Sequence, residues 1–261
     1  MLAVSYTHLA IVTGASAGLG KVFAEKICIK YPDLDEVWLI ARRKERMESF
    51  AADHPEMKFR ILPLDLSLDT SYEEIERQLQ ENSPDVRILI NNAGYCRPDS
   101  QIKAKESDLL QAINVDVKGV TMVAKACVPY MNKGSFQIIV GSVASFSPLP
   151  GQAVYSASKV YEKYLAVALH EELKPQGINV MYLAPGNMAT EMMALTTETI
   201  RDHGAKISHL PYLNLDKVPV VSLKRAEAGK RFYTPLLFNK AFRVFMKLIP
   251  ASLGAKISSI E

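Results

Sequence analysis

With 261 residues, 48% of them hydrophobic, the chain has apolar material for one large α/β domain or two small ones. A net charge of +3, scattered over most of the chain, gives no basic tract for nucleic acid. Three separated cysteines (Cys28, Cys96, Cys127) without clustered histidines suggest neither a disulfide framework nor a metal site. No stretch approaches the ~20 apolar residues of a membrane span, and the apolar run near the N-terminus lacks the basic flank of a signal peptide. A cytoplasmic protein is the expectation.

In chain order, residues 9–13 read as a strand and 19–30 as a helix. A strand at 36–41 leads to a charged helix from Lys44, then a strand at 58–64 and a helix at 71–81. A strand at 87–91 precedes a long helical stretch at 107–131. Next come a strand at 136–140, a helix at 153–174 and a strand at 179–183. Regular β–α alternation predicts a doubly wound parallel sheet with helices on both faces. Without a linker rich in Pro, Gly or Ser, residues 1–261 read as one domain. Residues 187–230 break the alternation and suit a small substrate lobe over the strand ends. Pro219 falls there, in a stretch where a helix is expected. Residues 236–261 form a C-terminal amphipathic segment. Within 236–249, Asn239, Arg243 and Lys247 recur every four residues with Lys240 beside them. Such a helix packs on the core or on a second subunit, lies on a membrane surface, or covers an apolar cleft.

Two motifs carry chemistry. Thr13-Gly14-Ala15-Ser16-Ala17-Gly18-Leu19-Gly20 follows the first strand and opens the first helix. Glycines there let backbone approach a pyrophosphate, whose charge the helix N-terminus attracts. Tyr155 and Lys159 are four apart on a predicted helix, hence on one face. An ammonium beside a phenol favours the phenolate, which makes the pair a proton donor and acceptor usable near neutral pH.

Taken with other motifs in order, the chain resembles the short-chain dehydrogenase/reductase family, in its single-domain, Rossmann-type branch. The likeness covers about residues 8 to 190. It rests on the glycine turn, Asp65 after the third strand, Asn91-Asn92-Ala93-Gly94 after the fourth, Asn114, Ser142 thirteen residues before Tyr155, Lys159, Pro185-Gly186 and Thr190. The resemblance implies hydride transfer between a nicotinamide and a carbonyl or alcohol. Tyr155 would exchange a proton with the substrate oxygen and Ser142 would hydrogen-bond it. Lys159 would bind the nicotinamide ribose and lower the Tyr155 pKa, and Asn114 would hold a water linking Lys159 to solvent. Gly14, Ser16, Gly18, Leu19 and Gly20 would hold the cofactor phosphates. Asp65 and Leu66 would meet the adenine, and Asn91, Ala93 and Gly94 its ribose. Pro185, Gly186, Met188 and Thr190 would border the nicotinamide.

NAD-preferring relatives carry an acidic residue at the end of the second strand. This chain has Ala41 there, followed by Arg42 and Arg43, so NADP(H) is expected over NAD(H), although Ala17 stands where some NADP enzymes have a basic residue. The substrate is expected to be lipophilic, such as a steroid, bile acid or fatty ketone, because Met, Leu and Tyr abound around 188–213. A homodimer or homotetramer is expected, and contact with a membrane surface through 236–249 would make the protein peripheral. The alternative is an NADP-binding regulatory or scaffold protein without turnover. A 3-oxoacyl carrier reductase fits less well, because many of these end in a strand and an Asp-Gly-Gly motif that the C-terminal segment does not show. A nucleotide-sugar epimerase or dehydratase usually needs a longer substrate domain.

Overall fold

Leu9, Ala10, Ile11 and Val12 form an unbroken apolar run because both faces of their strand are covered. In the computed structural model, which describes residues 7–97, 103–194 and 211–258, this strand is β1 (His8–Thr13). The others are β2 (Glu36–Ile40), β3 (Phe59–Leu62), β4 (Asp85–Asn91), β5 (Phe136–Val140), β6 (Asn179–Leu183) and β7 (Phe232–Tyr233). They form one seven-stranded sheet in the order β3-β2-β1-β4-β5-β6-β7, and every pairing is parallel.

Alternate residues of β1 serve the two faces. Ala10 and Val12 pack with Phe23, Ala24 and Ile27 of α1 (Gly18–Lys30), Phe50 of α2 (Lys44–Ala52) and Leu223 of the helix at Lys217–Glu227. Leu9 and Ile11 pack with Ile75 and Leu79 of α3 (Asp69–Asn82), and their cluster continues to Val123 and Ala166. The chain crosses the sheet between β3 and β4, which places the carboxyl ends of β1 and β4 side by side. Ligands bind in the crevice at such a switch point.

The helix expected over 107–131 is interrupted. It comprises α4 (Glu106–Ile113), a π-helical segment at Asn114–Gly119, α5 (Val120–Cys127) and a short 3₁₀ turn at Val128–Tyr130. A π-turn inserts one residue into the helical register without leaving the helix axis, so periodicity does not reveal it. α6 (Ala153–Leu173) runs unbroken as predicted.

The last third holds the departures. Pro219 sits in the first turn of α7 (Lys217–Glu227), where its missing N–H costs no intrahelical bond. Part of the expected substrate lobe, residues 195–210, lies outside the described residues. The C-terminal segment does contribute a strand: β7 adds Phe232 and Tyr233 to the edge beside β6, too short to show a period. The basic face expected on 236–249 is divided in α8 (Leu237–Leu248). Asn239 is buried, and the Arg243 guanidinium lies over the Phe232 ring at 4.7 Å, while Lys240 and Lys247 are exposed. A final helix, α9 (Ala251–Ile257), follows Pro250. Among the described residues no helix is long and apolar enough to cross a membrane, and no cluster of side chains could hold a metal.

Candidate active site

The glycine turn is built to exclude side chains. Gly14 has a φ of +68°, and a β-carbon on it would lie 2.7 Å from Asn92 Nδ2. A β-carbon on Gly20 would lie 2.3 Å from the Gly14 carbonyl. Asn92, unassigned from sequence, locks this approach by donating to the Thr13 carbonyl at 3.0 Å. The Thr13 hydroxyl accepts from the backbone N–H groups of Asn92 and Ala93, each at 2.9 Å, and donates to the Ile90 carbonyl. β1 and the Asn91–Gly94 loop are thus one rigid unit at the switch point. No side chain caps the N-terminus of α1, which leaves its first N–H groups for an anion. Asn91 Nδ2 is buried without a hydrogen-bond partner among the described residues. Thr190 approaches the same turn, its γ-methyl 3.3 Å from where a Gly18 β-carbon would stand. These residues fit a dinucleotide laid across the ends of β1 and β4.

The other expected contacts border that cleft. The Asp65 carboxylate accepts from the Ser67 N–H at 2.9 Å and from its hydroxyl at 2.8 Å, which shapes the turn after β3. Leu66 is buried behind it, its carbonyl accepting from Tyr72 Oη. The Pro185 carbonyl accepts from Val143 at 3.0 Å, and Met188 bridges to Leu213. A β-carbon on Gly186 would lie 2.7 Å from Asn239 Nδ2, so α8 closes directly on this turn.

The two arginines after β2 are not equivalent. Arg43 Nε donates to Ser16 Oγ in the glycine turn at 3.2 Å, and its Nη1 pairs with Glu191 at 2.6 Å. Arg46 reaches the same carboxylate. Arg42 is exposed and makes no such bond among the described residues. Glu191 was unread in the sequence because nothing local links it to α2.

Ser142, Tyr155 and Lys159 come together beyond the carboxyl ends of β5 and β6. Ser142 caps the 3₁₀ turn at Val143–Phe146, its hydroxyl accepting from Ala144 N–H at 3.1 Å, and its influence on Tyr155 favours the phenolate. The Lys159 ammonium lies 5.4 Å from the Tyr155 ring centre. Burial drives the Tyr155 phenol pKa well up. Lys159 is the largest opposing influence, with Ser142 helping and Cys96 and Asp116 adding to the rise. Tyr182 braces the group from β6: its hydroxyl donates to the Lys159 carbonyl at 3.1 Å and accepts from Ser142 N–H at 3.2 Å.

Two acidic residues not assigned from sequence complete the site. Lys159 Nζ donates to Glu162 Oε1 at 2.7 Å and lies 3.7 Å from Asp116 Oδ2, with all three residues buried. Asp116 also accepts from Tyr95 N–H at 2.8 Å and Ser158 Oγ at 3.2 Å. Burial pushes the carboxyls of Asp116 and Glu162 up, that of Glu162 to about 8, while Lys159 pulls both down. The two carboxylates hold the Lys159 ammonium well above its ordinary pKa against the effect of burial. The signals were there: Glu162 is three residues from Lys159 on one helix, and Asp116 is two residues from Asn114. Asn114 opens the π-segment, and its carbonyl accepts from Tyr72 Oη at 3.5 Å.

Comparison with known proteins decides what this constellation belongs to. A sequence model described as short chain dehydrogenase matches residues 8–201. The chain belongs to the short-chain dehydrogenase/reductase family.

The family is one of dehydrogenases and reductases. Very-long-chain 3-oxoacyl-CoA reductase of Mus musculus is 28% identical over 200 residues. That match covers 73% of this chain and 62% of the mouse protein, so the chain spans under two thirds of that relative's length. Sulfoacetaldehyde reductase of Chromohalobacter salexigens is 29% identical over 245 residues, covering 84% of this chain and 96% of that protein. A short-chain dehydrogenase from Sphingobium yanoikuyae, solved in complex with NADPH, superposes with a TM-score of 0.74 at 24% identity, covering 93% of this chain and 96% of that one. The β1–β4 crevice lies at the switch point of this sheet, where ligands bind in such folds.

Proposed function

We propose that the chain is an NADP(H)-dependent reductase that interconverts a lipophilic ketone or aldehyde with its alcohol, using Tyr155, Ser142, Lys159 and Asn114. The observation that carries this reading is the Tyr155 ring set beside the Lys159 ammonium, at the strand ends where Ser142 follows β5 and a substrate carbonyl would meet the cofactor cleft. Bound nicotinamide supplies the hydride. Ser142 orients the carbonyl by donating to its oxygen. Tyr155 gives its hydroxyl proton to that oxygen as the carbon becomes an alcohol carbon. The phenolate left behind is stabilised by Lys159 and regains a proton from solvent by way of Asn114. In the oxidative direction the same groups act in reverse. The bonds that join Ser142, Tyr182 and Lys159 keep the group preorganised, so little reorganisation is needed during reaction.

Preference for NADP(H) is supported by the neutral Ala41 at the end of β2 and by Arg43 standing at the glycine turn, where its guanidinium can meet a 2′-phosphate. Gly14, Gly18, Leu19 and Gly20 receive the pyrophosphate, Asp65 and Leu66 the adenine, and Asn91, Ala93 and Gly94 the ribose. Pro185, Gly186, Met188 and Thr190 flank the nicotinamide. Residues 1–261 act as one domain. A lipophilic substrate is supported by α8 closing on the Gly186 turn with apolar side chains on both of its faces. The mouse relative is named for a very-long-chain acyl substrate.

The test is a panel of steroid, bile-acid, fatty and small polar carbonyls followed by NADPH oxidation. Turnover of an apolar ketone that is lost in Tyr155→Phe, with NADPH binding retained, supports the reading. Cofactor binding without turnover of any carbonyl would instead leave a cofactor-binding regulator.

A further inference from the structure

Glu162 is poorly explained by stability. It is 2% exposed, its Oε1 accepts from the Lys159 ammonium, and its Oε2 has no hydrogen-bond partner among the described residues. Burying a carboxylate costs several kcal/mol, and apolar residues at such positions are often neutral or stabilising. Lys159 already has a buried counter-ion in Asp116, which is itself well satisfied by Tyr95 and Ser158. With all three ionised, the cluster holds one negative charge in excess. The second carboxylate therefore exceeds what neutrality requires.

We propose that Glu162 is a positioning residue that anchors the Lys159 ammonium at the buried end of the site and offsets part of its charge, so that Tyr155 remains a proton donor to higher pH. This rests on the hydride-transfer reading above. The groups facing the cluster are known from each packed element. α6 contributes Tyr155 and Lys159, the π-segment contributes Asp116, the loop after β4 contributes Cys96, and β6 contributes Tyr182. Of these, Lys159 alone is a cation. Weakening its neutralisation therefore strengthens the one positive field acting on the Tyr155 hydroxyl. Burial pushes the carboxyl of Glu162 up, and the Lys159 ammonium pulls it down.

The test compares wild type with Glu162→Gln, which keeps the shape, and Glu162→Met, which removes polarity. For carbonyl reduction, the alkaline fall of kcat/KM should move about one pH unit lower in both variants, the order expected for one charge several ångströms away at protein-like dielectric. Thermal stability of Glu162→Met should equal or exceed that of wild type. A purely structural role predicts the reverse: lower stability and an unshifted profile of smaller amplitude, which would overturn the proposal. If wild type turns over no carbonyl, the functional reading fails, yet Glu162 can still be judged. The ¹³C signal of the hydroxyl-bearing Tyr155 ring carbon, assigned by its loss in Tyr155→Phe, should begin to titrate at lower pH in Glu162→Gln. Superimposable titrations would reject the role of Glu162.

Discussion

At Tyr155 two forces oppose each other: burial holds the proton on the phenol, and the Lys159 ammonium pulls it off. Burial wins, and the consequence has a sign. Reduction needs the protonated phenol, so its kcat/KM should stay level through neutral pH and fall only in the alkaline range. Oxidation needs the phenolate and should rise steadily with pH. Profiles measured in both directions check this; a reduction rate that halves between pH 6 and 8 would contradict it. Removing the hydroxyl in Tyr155→Phe should cost about 10²–10⁴-fold in kcat, the usual worth of a positioned proton donor. Lys159→Met removes the counter-ion of two buried carboxylates. Breaking a buried ion pair in this way costs about 3–5 kcal/mol. The loss should be smaller at pH 6 than at pH 9, because the carboxyls, already pushed up by burial, become neutral by binding protons at the lower pH. Urea unfolding at the two pH values measures it. Tyr155 and Lys159 were legible because four-residue spacing on a helix is a local property. Glu162 shares that locality, but an acidic residue on a helix ordinarily reads as solvent-facing, and only the packing of the π-segment against α6 buries it.

At the level of elements, strands β1 to β6 and helices α1, α2, α3 and α6 follow from apolar periods and glycine placement. The π-segment does not, because an extra residue in a helix leaves hydrophobic spacing almost unchanged. β7 does not either, because two residues carry no period. Between elements lies the contact least visible in sequence: Arg43 and Arg46 at the start of α2 hold Glu191, which follows Thr190 across the cofactor cleft. The three side chains are about half exposed, and such pairs contribute about 0–1 kcal/mol. Glu191 nevertheless occupies the guanidinium that a 2′-phosphate would use. Glu191→Gln should lower the NADPH Kd by about two- to fivefold, within the worth of such a pair, and leave the NADH Kd unchanged. Arg43→Ala should weaken NADPH selectively, whereas Arg42→Ala should have a smaller effect. Fluorescence titration with both coenzymes checks these expectations; equal losses for NADPH and NADH in Arg43→Ala would remove Arg43 as the 2′-phosphate contact.

Across the whole molecule, two surfaces among the described residues each gather five apolar side chains left in water. One is the outer face of α4 and α6, where Leu110, Ile113, Tyr161, Tyr164 and Val167 are exposed, the surface suited to pairing with a second copy. The other is the outer face of α8, with Leu237 81% and Leu248 78% exposed and Phe238, Val244 and Phe245 between them. Lys240 and Lys247 stand in water along that second face, and its inner side closes on Gly186. Lysines bordering an apolar helix face complement an anionic lipid surface, at about 1 kcal/mol for each basic residue near it. The reading proposed for α8 is attachment to such a surface, which would bring a lipid-dissolved ketone to the end of the cleft that α8 covers. In co-sedimentation, vesicles containing about a third phosphatidylserine should bind the protein at least ~10-fold better than phosphatidylcholine alone, as two favourable lysines imply. Binding should weaken in high salt and fall in Leu237→Glu and Leu248→Glu, while turnover of a water-soluble carbonyl is preserved. If the protein ignores both vesicles and the same two substitutions reduce its mass in solution, then the outer face of α8 joins copies of the chain, and the substrate reaches the cleft from water.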